Sequence, residues 1–490
     1  MDSDGEYAVE NEAQFWAGLD DILAASYDTS ELIDDALRAF LAFTTNFKQE
    51  YLQSEYDIAR CCYRLLDAAI FKDNQDYVRR QILYCLLQED DADTLHLTAA
   101  VLLFDGRANE AAFEMMQAES AFPRLVELVR ARRDDEIGLH RLLLELLFEM
   151  SRIQKLSRDE LMTVDDAFIL HLFQLIEELS DDADDPYHYP IIRVLLVLNE
   201  QYMCLANAPS SPGDGPIALT NRILKLLSMH GPAYRTFGEN LILLLNRESK
   251  LGPQLLILKL LYLLFTTPST YEYFYTNDLH VLVDVIIRNL LDLDPVSDHS
   301  PHLSDGVDRD GQRALQHTYL RVLCPLLRNT QLSLDGNHYK REEVRRLLFL
   351  LVNKSSAHFA PVDATVLRLA VRIKQIEWLR EAGDEEDDAM EQQLLEAAPT
   401  DAQVAKKLLG MSLSDAGESS LSVVEVSAKI AKEKPSVPAP RRRRQGSKAN
   451  GESSNSNGPD TGDLLRVPPK GVDLPRGDTR SPFSDENAET

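Results

Sequence analysis

Few stretches of this 490-residue sequence combine residue types at a spacing that catalysis requires. It contains no HExxH or CxxC metal or thiol motif, no phosphate-binding GxxxxGKS or GxxxxGKT loop, no GxSxG nucleophile turn and no GxGxxG. Its 11 histidines are spread singly, so a metal site would need three distant segments to converge. His188 stands out because it lies between two tyrosines, and His338 because it precedes Tyr339, but a surface or internally satisfied histidine is the commoner case. We therefore expect no enzyme, no metal and no cofactor.

Two acidic runs carry enough carboxylates to bind a hard cation. They are QEDDAD at 88–93 and DDADD at 181–185. Neither has the glycine turn and the terminal glutamate of an EF-hand loop. Both are interpreted as solvated loops between helices.

A third constellation lies near the end of the chain, where KEKPSVPAPRRRR contains the spacing Lys432-x-x-Pro435-x-x-Pro438. A proline-rich segment is already extended and so loses little entropy in the aromatic groove of an SH3 domain, whose acidic rim pairs with the cation. The alternatives are chance spacing in a disordered tail and, for the four arginines 441–444, a nuclear import signal or a contact with anionic lipid.

Charge and cysteine usage restrict the partners and the compartment. The net charge of −29 disfavours nucleic acid, which is bound through Lys and Arg, and favours protein partners. Residues 429–448 alone carry eight cations and one acid, a balance of +7, so the other residues sum to −36. Five scattered cysteines predict no disulfide framework, and no signal peptide or membrane-spanning apolar run of about eighteen residues is found. These features predict a cytoplasmic protein.

The elements that must position any site are helices. From about residue 6 to 398, apolar residues recur at i, i+3, i+4 and i+7, as in Leu139, Leu142, Leu143, Leu146 and Leu147. Eighteen to twenty short helices predict an all-α, armadillo/HEAT-like α-solenoid over 1–398, although no crisp repeat is visible; the alternative is a generic all-α domain. We predict a polar loop at 294–312, a weakly helical linker at 399–432 and a disordered Pro/Ser/Arg-rich tail at 433–490.

An aromatic cluster runs into a largely apolar helix in TYEYFYTNDLHVLVDVIIRNLLDL at 270–293, and the preceding helix, 253–265, is equally apolar. Its helix, from about Asp278, has one wide apolar stripe and a second edge at Val281 and Val285. These features predict an inner-layer helix whose partner is the helix 253–265, with Ile286 in the core. We expect Asp284, Arg288 and Asp292, spaced by four, to form a ridge of charges that pair along the helix, and the aromatic residues Tyr273, Phe274 and Tyr275 to pack.

One basic cluster lies inside the acidic array and consists of Lys340, Arg341, Arg345 and Arg346. It is a candidate contact for a protein partner. The alternative is a solvated helix face opposite Val344, Leu347, Leu348 and Leu351.

Three blocks of sequence resemble a known family. They are YEYFYTNDLHVLVDVIIRNLLDL at 271–293, RALQHTYLRVLCPLLRNTQL at 313–332 and YKREEVRRLLFLL at 339–351. Their order and spacing resemble the leucine-rich domain of the WISH/DIP/SPIN family, especially its fungal Ldb-type members, with a core of about 230–380. Only the polar insert at 294–312 differs, being longer or more acidic.

The resemblance implies an armadillo-repeat protein that binds the actin-related-protein two/three (Arp two/three) complex and activates it without a preformed mother filament. The product would be a linear actin filament that seeds branched networks at cortical actin patches during endocytosis. Fungal members also resemble this chain in a proline-rich, SH3-binding C-terminus. The alternative is a passive armadillo-type adaptor that links SH3 proteins to a partner without activating it.

Overall fold

The computed structural model describes residues 9–24, 27–131, 137–178, 188–207, 219–293, 309–352 and 363–380. Within these ranges the chain forms helices and no β-strand, so the predicted all-α class is confirmed. The described residues form twenty α-helices and four short 3-10 helices. The 3-10 helices are Gly231–Ala233, Pro268–Thr270, Gln331–Ser333 and Glu377–Leu379. The α-helices are α1 (Glu12–Leu23), α2 (Ser30–Asn46), α3 (Lys48–Tyr51), α4 (Glu55–Asp67), α5 (Ala69–Asp73), α6 (Gln75–Gln88), α7 (Ala92–Ala108), α8 (Ala111–Ala118), α9 (Ala121–Ala131), α10 (Ile137–Ile153), α11 (Arg158–Thr163), α12 (Asp166–Glu178), α13 (His188–Asn207), α14 (Arg222–His230), α15 (Arg235–Arg247), α16 (Leu251–Thr266), α17 (Thr276–Asp292), α18 (Arg309–Asn329), α19 (Arg341–Val352) and α20 (Ala364–Lys374).

Local sequence explains where several of these helices begin. Ser54 and Asp57 form a capping box at α4, and Ser157 and Glu160 form another at α11. Asp91 caps α7 by accepting a hydrogen bond from the backbone of Thr94. These side chains satisfy amide groups that have no partner within the helix.

The array repeats one unit, made of a long helix, a short helix and a second long helix. The first helices stack on one another in the order α4, α7, α10, α13, α16, α18 and α20. The second long helices α6, α9, α12, α15, α17 and α19 form a neighbouring layer. This stacking of neighbours is the architecture of an α-solenoid, as predicted from the helical pattern.

The first-helix layer is the more buried of the two, and buried ion pairs join its helices to their neighbours. On α16, 13 of 16 residues are buried, including Lys259. The Nζ atom of Lys259 lies 2.7 Å from Oε1 of Glu200 on α13, and both side chains are at most 4% exposed. On α7, Asp105 receives two hydrogen bonds from the guanidinium group of Arg79, at 2.5 and 3.1 Å. Buried ion pairs thus join helices of successive units.

The inner position predicted for the 278–291 helix is wrong. It belongs to α17, in the second layer, where Val281 is 51% and Leu291 is 44% exposed. The buried stripe through Ile286 is confirmed, but the second apolar edge holds only at Val285, because α17 is covered by α15, α18 and α19. It is α16 that is buried on almost every side.

Two smaller expectations about α17 also need correction. Two of its charged residues bond to other elements: Arg288 donates to Oδ1 of Asn246 on α15, at 2.7 Å, and Asp284 pairs with Lys340, at 2.8 Å. Tyr273 and Phe274 are buried as expected, but Tyr275 is 56% exposed, with the guanidinium of Arg235 4.5 Å from its ring centroid.

The aromatic pair Tyr273–Phe274 requires a glycine on the neighbouring helix. A Cβ atom on Gly238 of α15 would lie 2.9 Å from the Tyr273 ring and 3.1 Å from the Phe274 ring. The missing side chain lets these rings close the junction between α15 and α17.

One end of the predicted loop at 294–312 lies within the described residues. Helix α18 begins at Arg309, so the last four positions of the predicted loop 294–312 are helical, and Gln312 is only 3% exposed. Neither the array boundary at 398 nor the linker and tail after it lie within the described residues. Across the ranges given above, no helix has both the length and the apolar character that crossing a bilayer requires.

Candidate partner-binding surface

The predicted basic cluster lies where the chain enters α19. Lys340 has a left-handed backbone, with φ of 50°, and its Nζ atom lies 2.8 Å from Oδ1 of Asp284 on α17. The hydroxyl of Tyr339 donates to the other carboxylate oxygen of Asp284, at 3.1 Å. The hydrogen bond with Asp284 raises the pKa of Lys340. Lys340 therefore ties α19 to α17 and is not a free cation.

Arg341 and Arg345 lie on one face of α19, as expected, but that face meets the end of the array. Arg341 donates from Nε to the carbonyl oxygen of Trp378, at 2.6 Å, and from a terminal nitrogen to that of Arg380, at 2.7 Å. Arg345 donates to the carbonyl of Leu379. The two arginines satisfy carbonyl groups that end the 3-10 helix at Glu377–Leu379, so their first role is structural.

Two stacked ring pairs explain the conspicuous histidine in this region. His338 stacks on Trp378, with ring centroids 4.8 Å apart and an angle of 4° between the rings. His280 of α17 stacks on Tyr339, at 4.0 Å and 11°. His338 thus packs at the junction of α17, α19 and the last 3-10 helix. The other conspicuous histidine, His188, begins α13.

Arg346 is the member of the cluster that is exposed. It follows Arg345 on α19, and one turn later Phe349 is 57% exposed. Val344, Leu347, Leu348 and Leu351 are buried on the opposite side, as expected. Of the four predicted contact residues, Arg346 is thus the best placed to meet a partner, and that role stays a prediction.

Sequence reasoning missed that large apolar side chains on α19 and on the helices next to it are exposed. Helices α15, α17 and α19 pack side by side and each exposes large apolar side chains to solvent. We name this set the outer apolar face: Leu243 (46% exposed), Val281 (51%), Leu291 (44%) and Phe349 (57%). Exposed apolar residues grouped on neighbouring helices are typical of protein-binding surfaces. A signal was present in the sequence, because α17 has more apolar positions than one buried stripe requires.

A cavity of about 330 Å³ lies between the ends of α15 and α17 and the start of α16. Three residues that line it bond to one another: Asn289 donates to the hydroxyl of Tyr319 at 2.7 Å, and that hydroxyl donates to Oε1 of Gln254 at 2.9 Å. The Gln254 amide donates to the carbonyl of Glu248, at 2.9 Å. Because these groups satisfy one another, we interpret the network as a structural link between the layers.

The acidic run at 88–93 is more than a solvated loop. Asp93 lies 2.7 Å from the buried ammonium of Lys48, and Asp90 lies 2.8 Å from the guanidinium of Arg124. Together with the Asp91 cap, these contacts use the run to join helices. The second run, at 181–185, and the SH3-ligand residues Lys432, Pro435 and Pro438 lie outside the described residues.

Comparison with known proteins identifies relatives across most of the chain. Residues 184–344 match the family described as SPIN90/Ldb17, leucine-rich domain. Protein dip1 of Schizosaccharomyces pombe is 30% identical over 379 residues, which cover 76% of this chain and 96% of that protein. Protein LDB17 of Saccharomyces cerevisiae is 26% identical, covering 71% and 76%, and protein LDB17 of Eremothecium gossypii is 27% identical, covering 74% and 80%. The outer apolar face, except Phe349, and Lys340 to Val344 fall within the matched domain.

Proposed function

The chain belongs to the family of SPIN90, Ldb17 and dip1, and from this membership we propose that it regulates actin assembly by binding and activating the Arp two/three complex. Activation would need no preformed mother filament and would yield linear filaments that seed branched networks. The observation that carries the proposal is the alignment with dip1, which spans 96% of that protein. The protein would act at cortical actin patches in the cytoplasm during endocytosis.

The array suits a partner that switches between two arrangements. Stacked helices present a surface that extends over several units of the array, and such a surface can bind one arrangement of a complex better than the other. A ligand with such a preference shifts the population toward the arrangement it prefers, without catalytic residues. To move a two-state complex from 1% to 99% active, the preference must be about 10,000-fold. We therefore propose a binding protein rather than an enzyme.

Actin assembly with purified components tests the proposal. Purified actin, Arp two/three complex and the full chain are mixed without preformed filaments or a branching activator. We expect faster assembly than without the chain, and unbranched filaments under the microscope. Binding to the complex without any acceleration would instead identify a passive adaptor.

The same assay tests the outer apolar face. Changing Phe349→Ser together with Arg346→Ser removes the exposed apolar and cationic groups of α19. The control, Met162→Ser, removes a side chain that is 52% exposed on α11. We expect the double variant to reduce acceleration and the control to retain it, with equal melting temperatures, since surface changes rarely unfold a protein. Equal activity would exclude this face.

We also propose that the tail recruits SH3 proteins through Lys432, Pro435 and Pro438. A synthetic peptide covering 429–448 should bind members of an SH3 panel at micromolar concentration, and the Pro435→Ala, Pro438→Ala peptide should not. The matched control is Pro440→Ala, which leaves the Pro-x-x-Pro spacing intact. The absence of binding across the panel, or binding that survives the double change, would contradict this role.

A further inference from the structure

Four lysine or arginine side chains are buried in the part of the chain that the structure describes: Lys48, Arg79, Lys259 and Arg321. Three of them have a carboxylate at 2.5–2.7 Å, from Asp93, Asp105 and Glu200 respectively. Such pairing is the rule, because an isolated charge loses the solvation of water when it is buried. Arg321 differs from the other three.

Arg321 lies on α18, in the first-helix layer, and only 8% of it is exposed. Within the described ranges no ion pair or hydrogen bond joins its guanidinium group to another side chain or to the backbone, and its nitrogen atoms are not among those that are fully enclosed without a partner. Burial lowers the pKa of Arg321 to about 10, whereas a neighbouring carboxylate would raise it. The group nevertheless stays protonated at neutral pH, so the array carries at this position a positive charge that no carboxylate of the described residues compensates.

Other guanidinium groups act on the same neighbouring phenol as Arg321. Burial raises the pKa of Tyr262 on α16, and the charges of Arg372, Arg321 and Arg328 oppose that rise. Guanidinium groups from α18 and α20 therefore act on one phenol ring. The attraction between charges is stronger where water is partly excluded, so an anion that reached Arg321 would be held more tightly than at an exposed arginine.

The shape of the guanidinium group and its burial indicate which kind of anion Arg321 can bind. A guanidinium group presents two parallel N–H donors, which match the two oxygens of a carboxylate. A membrane or a nucleic acid needs a broad exposed basic surface, whereas Arg321 is nearly buried in a chain of net charge −29. Only a group that protrudes from its own surface can reach it, as an acidic side chain of a protein does.

We propose that Arg321 binds the carboxylate of an aspartate or glutamate side chain that a protein partner inserts beside α16, α18 and α20. The identity of that partner, the Arp two/three complex, rests on the proposed function. Binding would supply the anion that the free array lacks, so the charge would be unfavourable before association and compensated after it.

Stability measurements on the free full-length chain test the first half of the proposal. We expect Arg321→Met to leave the melting temperature unchanged or to raise it, because an unpaired buried charge is replaced by an apolar side chain. Arg79→Met is the positive control and should lower the melting temperature, since it leaves the Asp105 carboxylate buried without its cation. A comparable loss in Arg321→Met would show that Arg321 has an anion within its own chain and would overturn the proposal.

Affinity for the purified Arp two/three complex tests the second half. Arg321→Met should weaken binding about 10-fold or more, the size expected for a lost hydrogen bond to a charged group. The matched control is Arg313→Met on the same helix, whose side chain is 39% exposed and lies 3.6 Å from Asp310. The control should bind like the wild type, and unchanged binding by Arg321→Met would overturn the proposal.

If the wild-type chain does not bind the complex, the proposed function fails. The carboxylate site at Arg321 is then tested separately, with acetate as the ligand. Sodium acetate, compared with sodium chloride at equal ionic strength, should raise the melting temperature of the wild type and of Arg313→Met but not of Arg321→Met. Equal shifts in all three proteins would refute a carboxylate site. A larger Arg321-dependent shift with inorganic phosphate would assign the site to phosphate instead and would likewise overturn the proposal.

Discussion

Replacing Ile286 by alanine is expected to lower the free energy of unfolding by about 2–5 kcal/mol. Ile286 is fully buried on α17, between α15, α18 and α19. The change removes three carbon atoms from a packed interior and leaves a cavity that the neighbouring helices cannot close completely. Denaturant unfolding followed by circular dichroism measures the effect.

Val281 on the same helix provides the matched control. It is also an aliphatic β-branched residue, but it is 51% exposed. We expect Val281→Ala to leave the unfolding midpoint close to that of the wild type, because about half of this side chain is already exposed to water. If the two variants were equally stable, the burial of the α17 stripe would be wrong. If Val281→Ala instead lost partner binding, it would support the outer apolar face.

Breaking the Lys259–Glu200 pair should have an equally large effect. Changing Glu200→Met leaves the ammonium group of Lys259 buried without its carboxylate, which costs about 3–5 kcal/mol of stability. The double variant Glu200→Met, Lys259→Met removes both charges and should recover most of the loss. Unfolding curves of the two single variants and the double variant give the coupling energy directly.

An exposed pair serves as the control for this cycle. Arg38 and Asp35 lie 3.2 Å apart, with side chains 73% and 66% exposed. Asp35→Ala should barely change the unfolding midpoint, because water already solvates both groups. A Glu200→Met variant as stable as this control would show that the Lys259 ammonium group is solvated or has another acceptor.

Much of the fold can be read from local sequence. Leu139, Leu143, Leu146 and Leu147 are fully buried on α10, as the spacing predicts. Capping side chains such as Ser54 and Ser157 mark helix starts within a few residues of the helices they cap. These signals are local, since one turn of helix brings residues three and four apart onto one face.

The repeat itself could not be read from the sequence. The first helices of successive units begin at residues 55, 92, 137, 188, 251, 309 and 364. The interval from 55 to 92 is 37 residues, whereas that from 188 to 251 is 63. Insertions between helices remove a constant period, although the three-helix unit is kept. The stacking order is a property of contacts between distant segments and has no fixed sequence spacing.

The candidate binding surface also combines features that the sequence shows with features that only the structure shows. The sequence by itself determined that Lys340, Arg341, Arg345 and Arg346 form a basic cluster on a helix, and that Ile286 belongs to an apolar stripe. Only the tertiary structure decided that Arg341 bonds to carbonyl groups 37 and 39 residues away.

The same holds for exposure and pairing elsewhere in the array. The tertiary structure alone decided that Val281 faces solvent and that Arg321 is buried without a carboxylate within the described residues. The physical reason is that residue type and spacing define which face of a helix a side chain occupies. Which neighbour covers that face, and whether it brings a charge, depends on helices far away in the chain.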